Sequence, residues 1–189
     1  MISPSALSFP ANAKIGCGMQ VSITSNSPAF VRDDTPALAT RYRTRFYFNS
    51  NSITMGKNDS HIIFGAYTAQ SVNTLVVELR RNGSSYQIRA GLLVDRNRWS
   101  YTGWSTLANG WNSIELDWRS ATTVGANNGG LTLWLNNPAT PTANLTGIDN
   151  DLQKVDWVAL GAVNSVDSGT RGSYYFDEFE SRRSSYIGP

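Results

Sequence analysis

Alternation with a period of two residues runs through most of the chain, and it constrains the fold more than any other feature. In the segment RYRTRFYF, residues 41–48, three arginines alternate with Tyr42, Thr44 and Phe46. Successive side chains of a β-strand point to opposite faces, so this pattern predicts a strand with one charged and one largely apolar face. Helical periodicity is nearly absent, which predicts a fold built from strands.

Strand-like segments recur along the sequence with turn residues between them. The segment 74–94 predicts a hairpin around Asn82 and Gly83, residue types that supply the positive φ angles of tight turns. About ten to twelve short strands with such spacing are typical of an all-β sandwich. We therefore predict one all-β domain over residues 1–189, a jelly-roll sandwich of two antiparallel sheets, with residues 1–16 as an irregular lead-in.

The composition excludes several classes of function. Sixteen Lys and Arg residues against fourteen Asp and Glu residues give a net charge of +2. The two signs are interleaved, and the absence of a basic stripe argues against a nucleic-acid partner. No segment reaches the ~20 apolar residues of a membrane-spanning helix, so no membrane span is predicted. The first residues also lack the basic segment and apolar block of a secretory leader.

Two carboxylates lie close together in the segment NSIELDWRS, residues 112–120. Glu115 and Asp117 are two positions apart in a predicted strand, so they share a face opposite Ile114, Leu116 and Trp118. Paired carboxylates can hydrolyse a glycosidic bond. They can equally form modest ion pairs with arginines of a neighbouring strand.

Several motifs of this chain resemble those of a known superfamily. They are IELDW, GGLTLWLN, LTGIDND, VALGAV and YYFDEFESRR, with FVRDDTP and RYRTRFYFN earlier in the chain. Over roughly residues 20–189 the sequence resembles the concanavalin A-like lectin/glucanase superfamily. More narrowly, it resembles laminin G-like jelly-roll domains at the C-termini of bacterial surface and secreted proteins. The resemblance implies an extracellular or cell-surface location, with a leader that this sequence does not include.

The resemblance also bears on catalysis. Laminarinase-type members of the superfamily carry a Glu-x-Asp-x-x-Glu or Glu-x-Asp-x-Glu strand, and Glu115 and Asp117 match its first two positions. The third position falls on Arg119 or Ser120, which cannot replace the missing carboxylate. Retaining hydrolysis needs two carboxyl groups about 5 to 5.5 Å apart. We therefore expect no catalytic residues and no enzyme, with Glu115 and Asp117 facing arginines or solvent.

A structural calcium ion is the cofactor that the resemblance implies. Many members of the superfamily hold Ca²⁺ through an Asp near the last strand, and Asp177 in YYFDEFE is similar to that Asp. Calcium takes six to eight oxygen ligands, so Asp177 needs carbonyl or water partners. Asp149 and Asp151 form a second oxygen-rich cluster. Their alternative role is in a loop or at the N-cap of a short helix over residues 148–156, where Asp and Asn satisfy free backbone N–H groups.

Aromatic residues concentrate in the segment RNRWSYTGWST, where Trp99, Tyr101 and Trp104 are the candidate ligand-binding residues. Clustered exposed aromatic groups usually mark an interaction site, here for a sugar. The alternative is packing in the core or at its rim, because aromatic side chains most often fill the interior of an all-β domain. The tryptophans in strand-like segments are assigned to the core; they are Trp111, Trp118, Trp134 and Trp157.

These observations predict a non-catalytic extracellular binding module, with a polysaccharide or a cell-surface glycan as its leading partner. The first alternative is a structural module for adhesion or assembly, which would bind a protein or associate with itself. The second alternative is a glycoside hydrolase or polysaccharide lyase, which the incomplete carboxylate motif and the single histidine disfavour.

Overall fold

The structure, a computed structural model, describes residues 7–9, 13–137 and 139–188, and these residues form fourteen β-strands and no helix. Accordingly, none of the described residues belongs to a helix long and apolar enough to cross a membrane. The strands are β1 (Leu7–Ser8), β2 (Met19–Ile23), β3 (Ala29–Asp33), β4 (Arg41–Asn49), β5 (Ser60–Tyr67), β6 (Asn73–Asn82), β7 (Ser85–Val94), β8 (Arg98–Tyr101), β9 (Ser105–Thr106), β10 (Trp111–Arg119), β11 (Gly129–Leu135), β12 (Ala143–Ile148), β13 (Trp157–Asn164) and β14 (Gly172–Arg182).

Two antiparallel sheets of seven strands make up the fold. Sheet 1 has the order β1-β2-β14-β4-β10-β11-β12, and sheet 2 has the order β3-β13-β5-β6-β7-β8, with β9 also paired to β7. Strands distant in sequence become neighbours, as in the pairing of β14 with both β2 and β4. This arrangement confirms the predicted all-β sandwich.

The core fills the space between the two sheets, as the alternating pattern requires. On β10, Ile114, Leu116 and Trp118 are fully buried against side chains of sheet 2, and on β6 Leu75 and Leu79 do the same from the other side. Each such side chain contributes about 1.5 to 3 kcal/mol through burial of apolar surface. The intervening polar residues of both strands therefore point to the outer faces of the sandwich.

The hairpin of β6 and β7 is confirmed, but its turn lies one residue later than predicted. Asn82 pairs with Ser85, so Asn82 belongs to the strand and the turn consists of residues 83 and 84. Gly83 has a φ of 62°, the conformation that a tight hairpin requires at its first turn residue and that glycine adopts without steric cost.

The prediction that four tryptophans fill the core is correct for Trp118, which lies between the sheets, and Trp157 is also buried, in a separate smaller hydrophobic cluster. Trp111 and Trp134 are half-buried on the outer face of sheet 1, because Trp111 shares the strand parity of Glu115 and Trp134 pairs directly with Glu115. Trp157 lies on the outer face of sheet 2, where its ring stacks on Tyr67 with a centroid distance of 3.8 Å.

The predicted irregular lead-in, residues 1–16, contains one short strand. Leu7 and Ser8 pair with Val21 and Gln20 and so extend the edge of sheet 1. Residues 1–6 and 10–12 of the lead-in lie outside the described residues.

Candidate functional site

The carboxylates of NSIELDWRS lie on the outer face of sheet 1, where arginines of β4 neutralise them. Arg43 donates through Nε to Glu115 at 2.5 Å and through Nη1 to Asp117 at 3.2 Å. Arg41 donates two further hydrogen bonds to Asp117, at 2.9 and 2.6 Å. The prediction that Glu115 and Asp117 face arginines is confirmed.

Residues near the end of the chain cover this ion-pair network. The backbone N–H groups of Ile187 and Gly188 donate to the two oxygens of Glu115 at 3.1 and 3.0 Å. The ring of Tyr186 lies 4.7 Å from the guanidinium of Arg43. Glu115 is only 2% exposed, so it cannot reach a sugar, and its role in this structure is to hold the covering segment.

The outer face of sheet 2 carries a different set of polar and aromatic groups, which we call the arginine–aromatic face. Alternation along the hairpin and β8 brings these side chains to one surface, because their neighbours Leu79, Ile88 and Ala90 point into the core. The face consists of Glu78, Arg80, Gln87, Arg89, Trp99, Tyr101 and Trp104.

Two guanidinium groups organise this face. Arg89 donates to Glu78 at 2.7 Å and stacks over the rings of Tyr101 and Trp104, 3.9 and 4.6 Å from their centroids. Arg80 stacks on Trp104 at 4.1 Å and donates to the amide oxygen of Gln87 at 2.9 Å. Among the described residues Arg80 has no carboxylate within salt-bridge distance, so the face carries an excess of positive charge.

The ring of Tyr101 lies across the sheet because the strand beneath it offers a glycine. Gly91 pairs with Tyr101, and a Cβ atom at Gly91 would lie 2.5 Å from two carbons of that ring. Val76 and Gly65 continue the same row across β6 and β5. The two glycines of this row therefore leave room for the rings of Tyr101 and Tyr67.

Among the named residues of this face, Tyr101 carries the hydroxyl group. Burial, and then the charge of Glu78, raise the pKa of the Tyr101 hydroxyl, while Arg89 opposes the shift. The hydroxyl therefore keeps its proton at neutral pH. The single histidine, His61, is 1% exposed and points into the core, where it stacks on Tyr174.

The structure brings the three predicted ligand-binding residues together. Trp99 and Tyr101 share a face, as predicted, with ring centroids 5.7 Å apart, and Trp104 lies beside them. All three are half-buried on the outer face rather than in the core. The sequence interpretation missed Arg80 and Arg89. The signal that could have found them is the hairpin register, which pairs Glu78 with Arg89 and Arg80 with Gln87.

Asp177, the first calcium candidate, lies on the outer face of sheet 1 and is largely buried. One carboxylate oxygen accepts the backbone N–H of Ile15 at 2.8 Å, and the other accepts that of Glu178 at 2.8 Å. Each oxygen keeps a lone pair, so a calcium ion at Asp177 stays a prediction.

Asp149 and Asp151, the second calcium candidates, meet Asp95 in what we call the acidic cluster. One carboxylate oxygen from each residue lies within 4.8 Å of the others. Partial desolvation and the neighbouring carboxylates of Asp95 and Asp149 raise the pKa of Asp151. Residues 149–156 contain a turn and no helix, so Asp149 and Asp151 lie in a loop, as one of the two alternatives predicted, and not at a helix N-terminus. Calcium here also stays a prediction.

No family model matches the sequence, and no curated protein is significantly similar to it. Solved structures do share its fold. The PL-14 alginate lyase from Aplysia kurodai superposes with a TM-score of 0.64 at 10% identity, over 95% of this chain and 88% of that chain. The alginate lyase from Klebsiella pneumoniae gives 0.60 at 8% identity, over 97% and 86%. Domain 4 of the arabinanase AbnA from Geobacillus stearothermophilus, in complex with arabinotriose, gives 0.52 at 14% identity, over 96% and 75%.

These similarities support a concanavalin A-like jelly-roll fold and give no support to the narrower laminin G-like type. They also contradict the prediction of a non-catalytic binding module, because the alginate lyases among them are enzymes. That prediction rested on the incomplete carboxylate motif of β10 and on the single histidine. Both belong to other parts of the molecule, whereas the ionisable groups of the open face come from the hairpin and β8.

Proposed function

We propose that the chain is a polysaccharide lyase that binds an acidic polysaccharide on its arginine–aromatic face and cleaves it by β-elimination. The observation that carries this proposal is the grouping of Arg80, Arg89 and the Tyr101 hydroxyl on an outer face of the sandwich. The alginate lyases that share the fold act on a polyuronate, which supports the same class of substrate.

The two arginines suit the carboxylate of a uronic acid unit. A guanidinium binds a carboxylate through two parallel hydrogen bonds, and such charge-assisted bonds are the stronger kind. Arg80 is held by the amide of Gln87 and by stacking on Trp104, so it is positioned before substrate arrives. Neutralising the substrate carboxylate makes the proton on the adjacent carbon 5 more acidic, which is the requirement for elimination.

Glu78 and Tyr101 can move the two protons of the reaction. A substrate carboxylate that binds Arg89 competes with Glu78 for its guanidinium, and the released Glu78 then accepts the proton of carbon 5. The bond between carbon 4 and the glycosidic oxygen breaks, a double bond forms between carbons 4 and 5, and the Tyr101 hydroxyl protonates the leaving oxygen. The proton then returns from Glu78 to the adjacent Tyr101, because these groups interact directly.

The aromatic groups beside the arginines would bind the sugar rings. Trp104 and Trp99 offer apolar surface next to hydrogen-bonding groups, the combination that ligand sites commonly use. An extracellular or cell-surface location fits a substrate of this kind and remains part of the proposal.

The test is a lyase assay on alginate, polygalacturonate and hyaluronan, which follows the ultraviolet absorbance of the unsaturated product. We expect activity on at least one of them and a loss of about 100-fold or more in Arg89→Ala and Tyr101→Phe. Arg41→Ala removes an arginine from the outer face of sheet 1 and is the matched control, for which activity is expected to persist. Absence of unsaturated product from all three polymers by the folded protein would contradict the proposal.

A further inference from the structure

A cavity opens at one end of the sandwich, next to the arginine–aromatic face but outside it. Three segments form it, residues 49–52 at the end of β4, residues 84–86 at the hairpin turn, and residues 107–110 before β10. Its volume is about 350 Å³, which lies within the range of small-molecule sites. We call it the end pocket. It adjoins the arginine–aromatic face because Gln87 directly follows one of its segments and pairs with Thr106, which precedes another.

Hydrogen bonds from buried groups fix the walls of the end pocket. Asn112 is fully buried, and its amide accepts from the backbone N–H of Ala108 at 2.8 Å and donates to the carbonyls of Ala108 and Gly110 at 2.9 and 3.0 Å. The Tyr86 hydroxyl donates to the carbonyl of Ile53 and so ties the first segment to the second. The pocket is therefore formed before any ligand enters, which lowers the entropic cost of binding.

The first segment turns through an unusual backbone conformation. Ile53 donates to the carbonyl of Ser50 at 2.9 Å, and the two residues inside this turn, Asn51 and Ser52, have φ angles of 46° and 53°. Asparagine tolerates the left-handed region, but serine is seldom found there and glycine is the usual choice. This turn places Ser52 in the lining of the end pocket.

The polar side chains of the pocket are uncharged, and several are available to a ligand. No Lys, Arg, Asp or Glu lines it; its polar lining consists of serine, asparagine and tyrosine. Among the described residues, the hydroxyl groups of Ser52, Ser84 and Ser85 and the amide of Asn109 make no hydrogen bond to the protein. Hydroxyls and primary amides both donate and accept, so they match a ligand rich in hydroxyl groups.

We infer that the end pocket is a binding site for a neutral sugar unit. A carboxylated sugar would have to give up its hydration without a cation to replace it, which the arginine–aromatic face supplies and the end pocket does not. The two sites thus differ in the charge of the sugar that each accepts. The inference rests on the pocket alone and holds whether or not the neighbouring face is catalytic.

The test measures binding of maltotriose, xylotriose and arabinotriose by NMR, through the backbone amide signals of residues 84–85 and 109–110. We expect at least one trisaccharide to shift these signals. Ser52→Gly removes a hydroxyl while keeping a residue suited to the turn, and together with Asn109→Ala it should weaken binding about fivefold per substitution. Asn127→Ala, in the separate polar pocket that Asp95, Asn127 and Asp149 line, is the matched control and should leave the affinity within about twofold.

Three results would overturn the inference. They are no shift with any of the three trisaccharides, binding that Ser52→Gly and Asn109→Ala leave unchanged, and shifts of the same signals by an oligouronate at equal or lower concentration. None of them depends on lyase activity, so failure here is distinguishable from failure of the proposed function.

Discussion

The outer faces of the two sheets carry the same residue types, but they differ in how far their arginines are paired and covered. On sheet 1, Arg43 is paired with Glu115 and Asp117, and the segment around Ile187 closes over the pairs. On sheet 2, Arg89 is paired with one carboxylate, that of Glu78. The side chain of Arg80 donates to the amide of Gln87 and, among the described residues, to no carboxylate. A row of arginines on a strand therefore does not define a site. What distinguishes a site is whether other parts of the chain have already neutralised and covered the charge.

The difference is also visible in exposure. The side chains of Arg43 and Glu115 are 7% and 3% exposed, whereas those of Arg89 and Glu78 are 28% and 12% exposed. Burial makes the first pair costly to break, because a charge left without its partner in the interior cannot recover its hydration. The second pair remains within reach of an incoming anion.

The largest expected effect is on stability, and it separates the two faces directly. Glu115→Gln should lower the free energy of unfolding by about 3 kcal/mol, because it removes the buried carboxylate at Nε of Arg43 and leaves that guanidinium only its longer contact to Asp117. Glu78→Gln, the matched substitution on sheet 2, should cost about 1 kcal/mol, since Arg89 is more exposed. Urea denaturation of the three proteins measures both values. Equal losses at the two positions would contradict the stated difference between the two ion pairs.

The second effect concerns the core that both faces share. Burial lowers the pKa of His61 to about 4 from 6.5, so the folded protein holds this histidine neutral while the unfolded chain binds a proton below pH 6.5. The contribution of neutral His61 is fully present above pH 6.5 and is lost as the pH falls from 6.5 towards 4. The free energy of unfolding should decrease by about 3 kcal/mol over this interval.

His61→Phe keeps an aromatic ring against Tyr174 and removes the titrating group. The pH dependence between 6.5 and 4 should then become shallower by that amount, as followed by urea denaturation at several pH values. The arginines of both faces stay charged throughout this range. A variant with the same slope as the original protein would show that other groups, such as the carboxylates of sheet 1, cause the acid sensitivity.

The strands and the core of the molecule could be predicted from the sequence better than its surface could. Alternation in IELDW placed Leu116 in the core and turned Glu115 towards arginines, because strand parity is a local property. The same rule applied strictly would have put Trp111 outside with Glu115. The prediction assigned it to the core by residue type instead. Size and apolarity alone therefore mislead for tryptophan, which often lies on a sheet face under another ring.

The site residues that the sequence did not predict are brought together by contacts between segments distant in the chain. Asp95 joins Asp149 and Asp151 only because the end of β7 meets the loop after β12 in the folded chain. The end pocket likewise collects three segments that no local pattern connects. The hairpin is the exception, since its turn fixes the register that pairs Glu78 with Arg89. Local sequence patterns therefore predict the core and the hairpin but not the contacts between loops.

The smallest effect is that of calcium, and it sharpens the comparison because its two candidates lie in different places. Asp177 lies on the outer face of sheet 1, where both of its oxygens already accept hydrogen bonds. The acidic cluster lies in the loops that follow β7 and β12. If the faces differ as described, added Ca²⁺ should raise the midpoint of thermal unfolding by about 2 to 4 °C through the acidic cluster, and a chelator should reverse the rise. Asp95→Asn should abolish the rise, whereas Asp177→Asn should lower the midpoint with and without Ca²⁺ by the same amount, because it weakens the contact to Ile15. A rise that depends on Asp177 instead would mean that sheet 1 also binds a ligand, and an unchanged midpoint would remove calcium from both places.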